Sequence, residues 1–158
     1  MTNITIAPLP SAFLNRVRSE GIDDLGQPVR RMLASGGEPC RDALRRAEPG
    51  EELILASFSP FQCVGPYREY GPVFVLANAS DADGAHDALP TANDYLREQF
   101  VFRAYAGDES IRDAALVTRE SAEATLERFL ASPETAFVHA RFPTYGCFAL
   151  RVDRTVAS

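Results

Sequence analysis

The chemistry this chain can do rests on a few thiols, one imidazole and a set of arginines and tyrosines. Cys40 lies between Pro39 and Arg41, and Cys147 follows Gly146. A thiolate is the reactive form of cysteine, and a nearby guanidinium or imidazolium increases its share. His139 is the natural base for either thiol, so Cys40, His139 and Cys147 form the catalytic candidate set. The structural alternative is that both thiols are ordinary small core residues, which free cysteines usually are. Cys63 is given no role.

Arg41, Arg68 and Arg141, with Tyr67 and Tyr145 close by in sequence, suit a different task. Guanidinium forks and phenolic hydroxyls recognise small anions through charge-assisted hydrogen bonds. In this reading Arg68 and Arg141 clamp the anion, while Tyr67 and Tyr145 orient it. The competing reading pairs each arginine with one of the 22 acidic residues as a structural ion pair.

Other chemistry is excluded or disfavoured. The 16 basic residues are all arginine, so no lysine is present to form a Schiff base. A net charge of −6 disfavours nucleic acid, whose backbone demands a basic surface. His86 and His139 are the two histidines, too few with three scattered cysteines for a metal site, and no cofactor is expected. Asp81-x-Asp83-Gly84 is a fragment of a calcium loop without the remaining ligands. No GxGxxG or GxSxG motif occurs. The doublets Asp23-Asp24 and Glu51-Glu52 would point to opposite faces of a strand, so neither makes an acid–base pair.

The elements that must position these residues follow from periodicity. Strands are predicted at Ile4–Ile6, Glu52–Phe58, Val73–Leu76, Gln99–Tyr105 and Ile111–Val117. Thr135–Phe142 and Gly146–Asp153 alternate cleanly around Pro143-Thr144-Tyr145 and read as a C-terminal β-hairpin. The principal helix is predicted at Arg119–Leu130, with Ala122, Leu126, Phe129 and Leu130 on its buried stripe and Thr118 as N-cap. Ser11 is expected to cap a brief helix, Asp42–Ala47 to form a helical turn, and Asn93 or Asp94 to open another. With no regular βαβ alternation, the fold class is α+β: a mainly antiparallel sheet, one principal helix and the C-terminal hairpin, in a single domain over residues 1–158. Strand alternation places Phe137, His139 and Arg141 on one face, and Cys147, Ala149 and Arg151 together on the return strand. Arg103 and Tyr105 share a face of a neighbouring strand.

An odd number of cysteines without a CxxC pair fits a reducing compartment. The N-terminal stretch lacks a basic region and is broken by Pro8 and Pro10, unlike a signal peptide. No apolar run approaches the ~18 residues that span a bilayer. The expectation is therefore a cytoplasmic protein with no membrane partner.

Three segments carry a family resemblance. They are Pro39-Cys40-Arg41 with Ala47-Glu48-Pro49-Gly50-Glu51, then Pro66-Tyr67-Arg68 with Gly71-Pro72-Val73-Phe74-Val75, and finally Ala136-Phe137-Val138-His139 with Gly146-Cys147 and Arg151-Val152-Asp153-Arg154. Together they resemble the bacterial domain-of-unknown-function family 1203. The resemblance implies a small bacterial α+β protein and supplies no reaction or cofactor. The leading expectation is an uncharacterised protein binding a small anionic metabolite in an Arg/Tyr-lined pocket. Its rivals are a Cys/His-dependent enzyme of unknown reaction and an interaction module or homodimer that docks a partner through an edge strand or the aromatic loop Phe58–Tyr70.

Overall fold

Alternation of apolar and polar residues puts one face of most predicted strands in a core, and two sheets result. The computed structural model describes residues 2–79 and 84–155. Its first sheet contains β1 (Ile4–Ala7), β7 (Gln99–Tyr105), β8 (Ile111–Thr118), β9 (Phe137–Arg141) and β10 (Phe148–Arg154), in the order β1-β10-β9-β7-β8. Every pairing in it is antiparallel. The second sheet has the order β2-β5-β6-β3-β4, from β2 (Arg30–Leu33), β3 (Pro39–Cys40), β4 (Arg45–Arg46), β5 (Glu52–Phe58) and β6 (Gly71–Leu76). Here β3 runs parallel to β6, and the other pairs are antiparallel. The α+β class, the principal helix and the C-terminal strand pair agree with expectation, but the strands divide between two sheets. The Asp81-x-Asp83 fragment lies outside the described residues.

Phe100, Phe102 and Ala104 of β7, Val138 and Ala140 of β9, and Leu150 and Val152 of β10 bury one face of the first sheet. Ala122, Leu126, Phe129 and Leu130 cover that face from α2 (Ala122–Ala131). The helix starts later than Arg119 because Thr118 and Ser121 bond each other: each backbone N–H donates to the other's hydroxyl, at 2.9 and 3.2 Å. At the far end Arg154 donates to the carbonyls of Leu130, Ser132 and Thr135, the first of which belongs to the last helical turn, where no helical N–H follows to bond it. In the second sheet Ile54, Ala56, Phe58, Val73 and Val75 pack on Leu9, Phe13, Leu14 and Val17. The last three of these come from α1 (Ser11–Asn15) and the π-helical turn Arg16–Glu20 behind it. Ser11 does not cap α1; Pro10 holds that position.

Two expected helical turns are absent. Asp42–Ala47 instead closes the β3–β4 hairpin, with Cys40 opposite Arg45 and Pro39 opposite Arg46. The Asp42 carboxylate, which would have capped a helix, binds Arg18 at 2.8 Å and accepts the Leu76 N–H. Asn93 is similarly engaged, donating to the Leu44 carbonyl and accepting the Tyr95 N–H. Side-chain bonds of this kind compete with helix initiation.

The register of the last hairpin contains one irregularity that matters for the site. Arg151 is opposite His139, whereas Phe148 is opposite Arg141, so the strands slip between Phe148 and Leu150. Strict alternation would put Phe148 on the face opposite Arg151. The bulge instead brings Phe148 onto the His139 face, where it joins the core of the second sheet.

Asp42 anchors the hairpin that carries Arg41. Breaking a buried ion pair typically costs ~3 kcal/mol or more, because the remaining charge is left unpaired. Asp42→Ala is expected to lower stability by about that amount in urea unfolding, while Asp113→Ala, at an exposed pair with Arg128, changes it little.

Candidate functional site

His139 lies in the middle of β9, between Arg103 of β7 and Arg151 of β10 in register. Its side chain is fully buried. The rings of Phe61, Tyr105, Phe137 and Phe148 surround it at centroid distances of 5.2, 4.8, 5.1 and 5.0 Å. Neither Nδ1 nor Nε2 has a hydrogen-bond partner among the described residues. Burial, with Arg151 and Arg103 adding to it, pushes the imidazole pKa down to about 3. His139 is therefore neutral at pH 7, with one N–H and one lone pair unused.

Arg41 is also buried, at 5% exposure. Its backbone N–H donates to the Phe74 carbonyl, which continues the β3–β6 pairing. The side chain then crosses to the other sheet, where Nε donates to the Phe148 carbonyl at 2.9 Å. Nη1 donates to the Pro39 carbonyl at 2.8 Å, and the guanidinium lies 5.2 Å from the centre of the Phe142 ring. Arg46 approaches Phe142 too, at 5.0 Å, and donates to the carbonyls of Tyr95 and Gly37. Neither arginine has a carboxylate partner among the described residues. Burial lowers the pKa of both below the usual arginine value.

Three adjoining cavities mark the junction between the sheets. The first, about 290 Å³, is lined by Arg41, His139, Leu9, Phe58, Phe61 and Phe148 among others. A second of about 480 Å³ contains Arg41, Arg46, Arg97, Phe142, Tyr145 and Cys147. The third, about 190 Å³, includes Arg141, Glu69, Tyr145, Cys147 and Phe148. Arg41 lies in the wall common to the first two.

The expected residues are distributed unevenly over this groove. Arg141 is buried and paired with Glu69, and it donates to the Gly146 carbonyl. Arg68 holds the Gln62 carbonyl and stacks on Tyr70 rather than lining any of the three cavities. Tyr67 and Tyr145 are exposed at 44% and 88%. Cys40 lies fully buried beneath the hairpin, and burial with the nearby Asp42 charge pushes its pKa up to about 12. The expected thiolate is therefore not favoured there: desolvation outweighs Arg41 and Arg45. The Cys147 thiol is aimed at the Tyr145 carbonyl at 3.8 Å, not at the His139 imidazole. Arg46 and Phe142 were not singled out from sequence. A signal existed for Arg46: adjacent strand residues point apart, so when Arg45 pairs with Glu51 its neighbour must look elsewhere. No group of three or more metal-ligating side chains occurs among the described residues.

A model of the family described as "Protein of unknown function (DUF1203)" matches residues 37–154. The chain belongs to the DUF1203 family. No curated protein and no solved structure matches it. The DUF1203 match takes in Arg41, Arg46, His139 and Phe142, while Ala7, Pro8, Leu9 and Pro10, which close one side of the first cavity, precede it. No described helix is long and apolar enough to cross a membrane.

Two measurements check this geometry. Alkylation at pH 7.5 is expected to modify Cys63 and Cys147 in the native protein and to reach Cys40 only after unfolding. His139 sets a pH dependence: the unfolded imidazole protonates near ~6.5, and the folded one only at about 3. The unfolded state binds the extra proton between those values, so this contribution is complete above ~6.5 and is lost as pH falls towards about 3. His139→Phe is expected to flatten that slope in a series of thermal melts.

Proposed function

We propose that this protein binds a small anionic metabolite in the groove between its sheets, with Arg41 as the principal anion contact. The observation that supports this reading is a buried guanidinium without a carboxylate partner among the described residues, facing two cavities. A buried charge is costly unless paired, as Arg18 is with Asp42, and Arg41 has backbone carbonyls and an aromatic ring for partners but no acid among the described residues. Arg41 commits two of its five N–H groups to carbonyls, which leaves donors for a carboxylate or phosphate. Arg46 adds positive potential beside the same Phe142 ring. Arg141 is the weaker anchor in this reading, because Glu69 already neutralises it.

A thermal-shift screen with carboxylates and phosphate esters tests the proposal. A ligand at 100 times its Kd adds ~2.7 kcal/mol, a rise of roughly 5–10 °C for a domain this size. The rise is expected to disappear in Arg41→Met and to shrink in Arg46→Met, which keeps the sheet-to-sheet bond. An uncharged amide analogue giving the same rise, or anion binding undiminished in both variants, would sink the reading.

A further inference from the structure

The first cavity contains a second polar group that the anion does not account for. His139 is fully buried and lines that cavity, with both ring nitrogens unpartnered among the described residues. Leaving a buried polar group unsatisfied costs ~1–3 kcal/mol, and a phenylalanine would fill the same aromatic cage without that cost. The imidazole also gains nothing from its neighbours as a cation, since Arg103 and Arg151 flank it in the sheet. Arg151 is held aside by Asp153 at 2.9 Å and by the Phe137 ring at 4.0 Å. A neutral imidazole offers a donor on one nitrogen and an acceptor on the other, and a hydroxyl group can meet either.

The rest of the wall restricts the ligand's body. Leu9, Leu44, Phe58, Phe61 and Phe148 supply its apolar part beside Gln62 and the Arg151–Asp153 pair, and the volume of about 290 Å³ is small. Pockets for drug-sized molecules run from ~300 to 1,000 Å³, so the occupant is a compact molecule. Flat, rigid rings meet aromatic walls with little loss of conformational freedom. A positively charged ligand is disfavoured beside Arg41, which has no carboxylate partner among the described residues, whereas Arg151 and Asp153 offset each other.

We infer that the ligand is a compact hydroxyaryl carboxylate, its carboxylate on Arg41 and its hydroxyl hydrogen-bonded to His139 in the cavity between β10, the Ala7–Pro10 segment and the Phe58–Gln62 segment. This rests on the anion reading above and adds the uncharged end of the same ligand. His139 here is a specificity group that touches the ligand, with no chemical step assigned to it.

Benzoate and its 2-, 3- and 4-hydroxy derivatives are the probes, with affinities measured by calorimetry at pH 7.5 on the full chain. One hydroxy isomer is expected to bind at least ~10-fold more tightly than benzoate, a difference of ~1.4 kcal/mol. In His139→Phe that preference should collapse to near unity while benzoate affinity is kept, and in Arg46→Met all four acids should weaken together. Equal binding of the four acids to the wild-type protein overturns the hydroxyl assignment and leaves the anion reading standing. A preference that survives in His139→Phe overturns it equally. Failure of all four acids to bind removes this ligand class, and the anion reading then stands or falls on the wider carboxylate and phosphate screen.

Discussion

The bond from Arg41 Nε to the Phe148 carbonyl is the constraint around which the molecule is arranged. It joins the hairpin of one sheet to the irregular start of β10 in the other. Tyr95 adds a second tie beside it, donating its hydroxyl to the Ala149 carbonyl at 2.7 Å. Residues in a bulge lose their regular ladder partners. Buried carbonyls must nevertheless be bonded, so side chains from the second sheet and from the Asn93–Leu96 region supply the donors. Without the bulge, Phe148 would stand on the other face of the first sheet instead of packing on Phe58, and the two sheets would lack this aromatic contact.

The same arrangement explains why cavities collect here. The space between the two sheets is lined by connecting segments: Ala7–Pro10, Phe58–Gln62 and the β9–β10 connection. Loops fill such space less completely than paired strands do. Arg41 and Arg46 hang into it because their backbones are held in a short hairpin and their side chains have aromatic Phe142 as a common floor. A guanidinium over an aromatic face keeps part of its stabilisation when water is removed. That makes charge without a carboxylate tolerable in this position, at a cost a bound anion would offset.

His139 and Arg141 show how alike two strand residues can look before folding. They share a face of β9, and strand periodicity says so. Their surroundings separate them: the His139 imidazole is enclosed by four rings and has no hydrogen-bond partner among the described residues, whereas Arg141 meets Glu69 from the Tyr67–Tyr70 loop. The partner of Arg141 is distant in sequence, and nothing local specifies it. Cys40 makes the same point, because its proline and arginine neighbours suggest an open loop while the hairpin seals it beneath Leu53 and Leu76.

What the sequence alone determined is the set of local patterns. The strand at Glu52–Phe58, the strand at Gln99–Tyr105, the apolar stripe of α2 and the final hairpin are legible because period 2 and period 3.6 are written in neighbouring residues. The absence of lysine and the net acidity likewise need no fold to be read. Tertiary structure decided the rest: the division into two sheets, the slip at Ala149, and the spending of Asp42 and Asn93 on distant backbone groups. It also decided which arginines meet an acid and which face a cavity. Those outcomes depend on pairings across tens of residues, and desolvation, which sets the state of Cys40, His139 and Arg41, exists only once those pairings have closed.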